Sequence, residues 1–286
     1  MAVAVLRQLK QALSTLNPKE LREMAERPLR VGLVAPSAEE LGEMEQFFAP
    51  PHFSPERRAE AARILVRGGG PGCDLQIYHA SLLRPNKTFG FDPEAPGDCV
   101  RAILRSRDDL MLPLARQLFP FRRPAACRVI RAIAKENALF CLATALPDVV
   151  PSWTILPWAV GEFTSDTAFL TMNQIRMAFM LAAASDRAIG YREQSSEVAS
   201  IVAGSFGWRA LARELVGKVP FGGGLIPKAG IAYAATLAVG MSLERLYRLG
   251  YGFTRAERRA VYEDALETGK QIASMLLSGL RQRKAS

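Results

Sequence analysis

Two histidines, His52 and His79, are the only side chains whose ordinary pKa suits general acid–base work near neutral pH in this chain of 286 residues. His52 falls in Pro50-Pro51-His52-Phe53-Ser54-Pro55, a proline-rich loop, and His79 falls near the end of a strand. Neither belongs to a motif that would give it a reaction: there is no HExxH, no GxSxG and no His/Cys cluster with metal-ligand spacing. Cys73, Cys99, Cys127 and Cys141 show no CxxC spacing, so a zinc or redox motif is absent. Cys127 and Cys141 lie in apolar, helix-like runs and read as small core residues, which fits a reducing, cytoplasmic compartment. Asp148, Glu162, Asp166 and Asp186 punctuate an apolar region. Paired carboxylates can do acid–base work, and the neighbourhood of Asp148, Asp166 and Arg176 is where an enzyme pocket would be sought. Caps and partners for Arg176 or Arg187 are the simpler roles for these acids. No catalytic, cofactor-binding or metal-ligating residue is assigned. The residues assigned to interaction are Arg176, Lys228, Arg255, Arg258 and Arg259, and Arg122-Arg123 form a further pair able to hold phosphate.

Composition bounds the classes. Hydrophobic residues make up 49%, enough for a proper core, and the formal net charge is +9. Residues 245 to 286 hold nine Lys/Arg against four acids, +5 in the last 42 residues. A basic end suits an anionic partner: lipid head groups, an acidic protein face or nucleic acid. No basic run interleaved with aromatics points to nucleic acid. The N-terminal stretch MAVAVLRQLKQALSTL has no apolar signal core or cleavage site. Val5, Leu9, Leu13 and Leu16 share a helical face, so it reads as a docked amphipathic helix or an interfacial anchor.

The elements that would position these residues follow from punctuation. Asn17-Pro18-Lys19-Glu20 reads as N-cap, first-turn proline and N3 glutamate of a helix that Pro28 ends. LRVGLVA (29–35) and CDLQIYHA (73–80) are strand patterns. Between them lie two helices, one opened at Pro36-Ser37 and one at Ser54-Pro55, and a glycine-rich flexible connection, Gly68 to Gly72. This β-α-α-β order predicts a small α/β unit over 29–110, with 84–98 an exposed loop. From Val100 onward only helices are expected: 100–119, kinked or split at Pro113; one begun at Pro124 and ended by Pro147; then 165–185, 193–203, 207–217, 228–249 and 254–280. A T-x-x-E capping box, Thr254 and Glu257, opens the last. The fold class is α+β and predominantly helical, in three parts: N-terminal helices (1–28), the α/β unit (29–110), and a larger all-α domain (111–286) with an apolar helical hairpin.

Residues 167 to 241 carry the strongest signal. Two apolar helical segments flank a Gly/Pro hinge. A membrane span needs about 20 apolar residues. Asn173, Gln174 and Arg176 sit near the middle of the first segment, and a central arginine costs roughly 2.5–3.5 kcal/mol on insertion scales. Segment 229–243 has no charge but is only 15 residues long. The expectation is a helical core, with docking or insertion at a membrane as the alternative.

The order of Gln174, Ile175, Met177 and Gly190, then Pro220, Gly223 or Gly224, Thr236 and Gly240, resembles the DUF697 family of helical domains. Asn137 and Pro151 resemble that family's entry region, and the likeness covers roughly residues 120–250. It implies association with Ras-like GTPases or with membranes, and no known reaction. The chain itself holds no P-loop: the first strand is followed by Pro36-Ser37-Ala38-Glu39-Glu40, two acids where phosphate needs positive charge. Nor is there an NKxD tetrad. The α/β unit is thus either a GTPase-like fold without its nucleotide site or an unrelated small fold. The chain reads as a non-enzymatic interaction protein with a GTPase or an anionic membrane surface as partner. A degenerate nucleotide binder or an enzyme with an unrecognised pocket is the alternative.

Overall fold

The computed structural model describes residues 16–145, 166–204 and 225–285. The fold is α+β and predominantly helical, as the sequence predicts, and its small sheet is parallel. The described chain forms two compact units. One is Lys19–Ala126 together with Ala182–Ala188; the rest of the described residues make up the other. The α/β unit therefore takes in more chain than 29–110.

In the α/β unit, helix α1 (Pro18–Glu26) precedes strand β1 (Val31–Val34). Helix α2 (Ala38–Phe48) follows, capped by Ser37, whose Oγ accepts from the Glu40 amide at 3.2 Å. Helix α3 (Pro55–Ile64), capped by Ser54 with Pro55 in its first turn, runs directly into β2 (Leu65–Arg67). Then come β3 (Leu75–His79), β4 (Phe89–Phe91) and α4 (Pro96–Ser106). All strands are parallel, in the order β2-β1-β3-β4. β2 and β4 correct the sequence reading, in which the helix opened at Ser54-Pro55 runs on to Val66 and 84–98 is an exposed loop. The helix at 100–119 divides into α4, a 3₁₀ turn (Asp108–Leu110) and α5 (Met111–Gln117). The break falls before Met111 and not at Pro113. Pro113 sits in the first turn of α5, where its missing N–H has no intrahelical partner to lose.

The sheet has two unlike faces. Val31, Leu33, Leu75 and Ile77 alternate onto one face and are buried. Phe91 joins them in an aromatic cluster with Phe47, Phe48 and Phe121. On the other face Gly32 has no side chain, and the β2–β3 crossover lies directly on it. The Gly69 Cα is 2.8 Å from where a Gly32 Cβ would stand. Gln76 anchors the crossover by donating to the Gly70 carbonyl at 3.2 Å. Gly68, Gly69, Gly70 and Gly72 all have positive φ, which only glycine adopts cheaply. The expected flexible connection is a fitted cover over β1.

Helix α6 (Phe119–Ala145) starts five residues before Pro124, which lies inside it. Helix α7 (Asp166–Ala184), α8 (195–204), α9 (Leu225–Leu249) and α10 (Arg255–Ala285) complete the described chain. In the helical unit α9 and α10 form an antiparallel hairpin that crosses at two glycines. A Cβ on Gly269 would stand 2.7 Å from the Gly230 carbonyl oxygen. Gly240 meets α6 and α7 as closely, 2.8 Å from Ile130 and 2.9 Å from the Met177 Sδ for an added Cβ. Small residues permit this approach. At 25 residues α9 is longer than the 15-residue segment read from the sequence, and by length and composition it could cross a membrane; just over half of its most apolar window is buried in the fold. The 146–165 linker, the 207–217 helix, most of the 217–228 hinge and the N-terminal helix lie outside the described residues.

Candidate functional site

Among the residues the sequence singled out, Arg255, Arg258 and Arg259 share one place, the start of α10. The turn before them is firmly built. Gly250 ends α9 with φ 86°, and its amide bonds the Leu246 carbonyl at 2.8 Å. Ser242 Oγ accepts from the Phe253 amide at 2.9 Å. The predicted capping box is present in both directions: the Glu257 amide donates to Thr254 Oγ1 at 3.2 Å, and the Thr254 amide donates to Glu257 Oε2 at 2.8 Å. Arg245 reaches across the turn to Glu257 at 2.6 Å and lies over the rings of Tyr251 and Phe253. The Arg245 and Thr254 contacts hold the Glu257 carboxyl down at about 2.

This rigid turn presents apolar side chains to solvent. Leu249 is 45% exposed and Tyr251 56%. Arg248 near the end of α9 and Arg255, Arg258 and Arg259 in the first turns of α10 are exposed on either side of the turn, with Arg248 paired to Glu244 and Arg259 to Glu263. From Glu244 to Glu263 five arginines face three glutamates. The remaining exposed face of α10 mixes both signs, a solvated surface.

Arg176 and Lys228 do not join this group. Lys228 lies in the first turn of α9, roughly 30 Å from the hairpin turn by the rise of a helix. Arg176 donates to Glu136 Oε2 at 2.7 Å and belongs to a polar brace within the apolar unit. In that brace Thr236 Oγ1 accepts from Asn137 at 2.7 Å and from Gln174 at 3.3 Å, and donates to the Ala232 carbonyl at 2.8 Å. Asn173 donates to Asn137 Oδ1 at 2.8 Å. All the amides are buried. Asn137, Gln174 and Thr236, distant in sequence, thus meet as one hydrogen-bonded set. Of the enzyme pocket sought near Asp148, Asp166 and Arg176, Asp148 lies outside the described residues, and so does the Asp166 side chain. No group of three or more potential metal ligands occurs among the described residues.

After β1, Glu40 lies in the first turn of α2. Its carboxylate accepts from Ser37 Oγ at 2.7 Å and from Ser81 Oγ at 3.4 Å. His79, buried at the end of β3, accepts from the Ser81 amide through Nδ1 and lies 3.5 Å from the same carboxylate. His52 is an exposed loop residue whose ring stacks edge-on against Phe53.

Nothing in the sequence announces a cleft of ≈ 390 Å³ in the α/β unit. Leu29, Phe48, Phe53 and Ile64 form its apolar walls. Asp186 sits at its rim, pairing with Arg57 and, at 3.3 Å, with Arg122. Asp186, assigned from sequence to Arg176 or Arg187, has φ 56° and ends α7 where glycine would be the easy residue. Burial pushes the Arg122 guanidinium below the usual arginine range, with Asp186 opposing. Of the arginine pair read from sequence as able to hold phosphate, Arg122 lines this cleft and Arg123 is exposed. A second hollow beside α2 holds Arg67 already forked onto Glu45 at 2.7 and 2.8 Å, so its charge is satisfied.

Comparison with protein-family models, curated proteins and solved structures finds no match for this chain.

Proposed function

We propose that this is a non-enzymatic interaction protein that docks on an anionic membrane face through the α9–α10 turn. The exposure of Leu249 and Tyr251 at a turn flanked by the exposed arginines Arg248, Arg255, Arg258 and Arg259 supports this reading. An apolar and aromatic tip can enter the headgroup region while basic side chains meet lipid phosphates, each contributing about 1 kcal/mol near an anionic surface. The hydrogen-bonded turn presents that tip without an ordering cost at binding. The charged face of α10 favours peripheral docking over insertion of the hairpin. An inner, cytoplasmic membrane face carries the required anionic lipid. The turn supports membrane docking without help from the DUF697 resemblance, which implies a GTPase or a membrane as partner.

The test is co-sedimentation with vesicles of phosphatidylcholine alone and with added phosphatidylserine. Binding only to the anionic vesicles, weakened by salt, reduced in Arg255→Gln/Arg258→Gln and in Leu249→Ser/Tyr251→Ser, is the expected result. Equal binding to both vesicle types, or binding indifferent to these four side chains, overturns it. Absence of vesicle binding together with capture of a purified Ras-like GTPase at the turn would favour the GTPase reading.

A further inference from the structure

We propose that the cleft of the α/β unit binds a small organic monoanion, an apolar body carrying one carboxylate, with Arg57 and Arg122 as its anion-binding pair. The cleft belongs to the other unit, and its ligand is independent of membrane docking.

Three observations meet here. The first is shape: the ≈ 390 Å³ volume falls in the range of small-molecule sites, and its inner wall is apolar, with Leu29, Phe48, Ala61 and Ile64 all buried. A purely ionic ligand would gain nothing from that wall, whereas an alkyl or aromatic body would.

The second is charge. Arg57, Arg63, Arg116 and Arg122 line the cleft against Glu26, Glu60 and Asp186. The surplus is one positive charge, which a single carboxylate neutralises. A phosphate monoester with two charges would leave the cleft negative.

The third is unspent donor capacity. Two guanidiniums lean on one carboxylate oxygen, Asp186 Oδ2. The Arg122 side chain is 24% exposed and fixed by its bond to the Arg116 carbonyl at 3.2 Å. A guanidinium carries five N–H donors in a planar fork suited to a carboxylate. Arg116 is itself set in place by Glu26 at 3.1 Å and the Arg187 carbonyl at 2.8 Å, so the wall behind the pair is rigid. The arrangement leaves Arg57, the more exposed of the two, free to swing from Asp186 to a ligand.

The experiment titrates the full chain with octanoate, with octanol and with inorganic phosphate, following heat and thermal unfolding. Octanoate is expected to bind saturably and raise the Tm, octanol and phosphate to bind at least tenfold more weakly, and Arg57→Gln to weaken octanoate tenfold or more. Arg57 is a surface residue of α3, so this variant keeps the fold where Arg122→Gln would remove a half-buried ion pair. Octanol binding as well as octanoate would show an apolar hollow only. Phosphate binding as well as octanoate would show an anion site without a body pocket. Either result, no octanoate binding, or full binding by Arg57→Gln, overturns the proposal. The vesicle assay reads different residues, so failure of one proposal is distinguishable from failure of the other.

Discussion

The Asn137 side-chain amide donates to Thr236 Oγ1 at 2.7 Å, joining two helices across 99 positions of sequence. With Gln174 as second donor and the Ala232 carbonyl as acceptor, the Thr236 hydroxyl uses both lone pairs and its proton. Thr236→Val keeps the shape and strips both acceptors, leaving two buried amides short of a partner. A loss of about 2–4 kcal/mol is expected in denaturant unfolding, since each orphaned buried polar group costs about 1–3 kcal/mol. Thr236→Ser keeps the hydroxyl and should cost about 1 kcal/mol for the methyl. In a cycle with Asn137→Leu, the double variant should lose less than the sum of the singles, by about 0.5–3 kcal/mol. Additive losses would mean the bond carries no weight.

The same substitution on one helix should have opposite signs. Gly269→Ala places a methyl 2.7 Å from a backbone oxygen of α9, and backbone cannot step aside as a flexible side chain can. The crossing must open, at about 1–3 kcal/mol, which exceeds the roughly 1 kcal/mol gained from alanine's helix propensity. Gly279→Ala meets nothing within 4 Å, so only the propensity remains and the variant should gain about 0.5–1 kcal/mol. Equilibrium urea unfolding of both variants checks the pair; matched signs would show that the crossing is not close.

Acid should reach the hairpin turn through Glu257. Its pKa is lowered from 4.5 to about 2, first by Arg245 and then by the Thr254 amide and hydroxyl. A group with a depressed folded pKa contributes fully above its unfolded pKa and loses that contribution as pH falls through the folded one. The contribution is therefore complete above about pH 4.5 and fades towards pH 2. Tm measured across that window should fall more steeply for the wild type than for Glu257→Gln. Parallel curves would mean the carboxylate is not held by the turn.

Local chemistry was legible from sequence and distant pairing was not. Pro18, Ser37, Ser54 and the Thr254–Glu257 box announce helix starts because each acts on neighbours within a turn. β2 and β4 are three residues each and exist because β1 and β3 offer them hydrogen bonds, which no periodicity over three residues can reveal. The cleft was hidden for a similar reason. Asp186 meets Arg57 from 129 positions away and Arg122 from 64. Its one local sign is an aspartate just past an apolar helix where glycine is expected. The exposed turn was half visible: the arginines stood out, while the exposure of Leu249 and Tyr251 needed the structure.

The two glycine crossings also bear on how relatives of this chain would be recognised. Gly32 lies against Gly69 and Gly269 against Gly230: an added Cβ would stand 2.8 Å from the Gly69 Cα in the first case and 2.7 Å from the Gly230 oxygen in the second. Each pair is a constraint: the apolar helices around it can drift, but Gly32 and Gly269 cannot gain a side chain unless the partner backbone moves. Two spaced glycine pairs, one straddling the first helices of the α/β unit and one spanning the helical hairpin, therefore form a sparse signature that outlasts overall similarity. A distant sequence that keeps both pairs would be a candidate relative on grounds that ordinary sequence matching does not weigh.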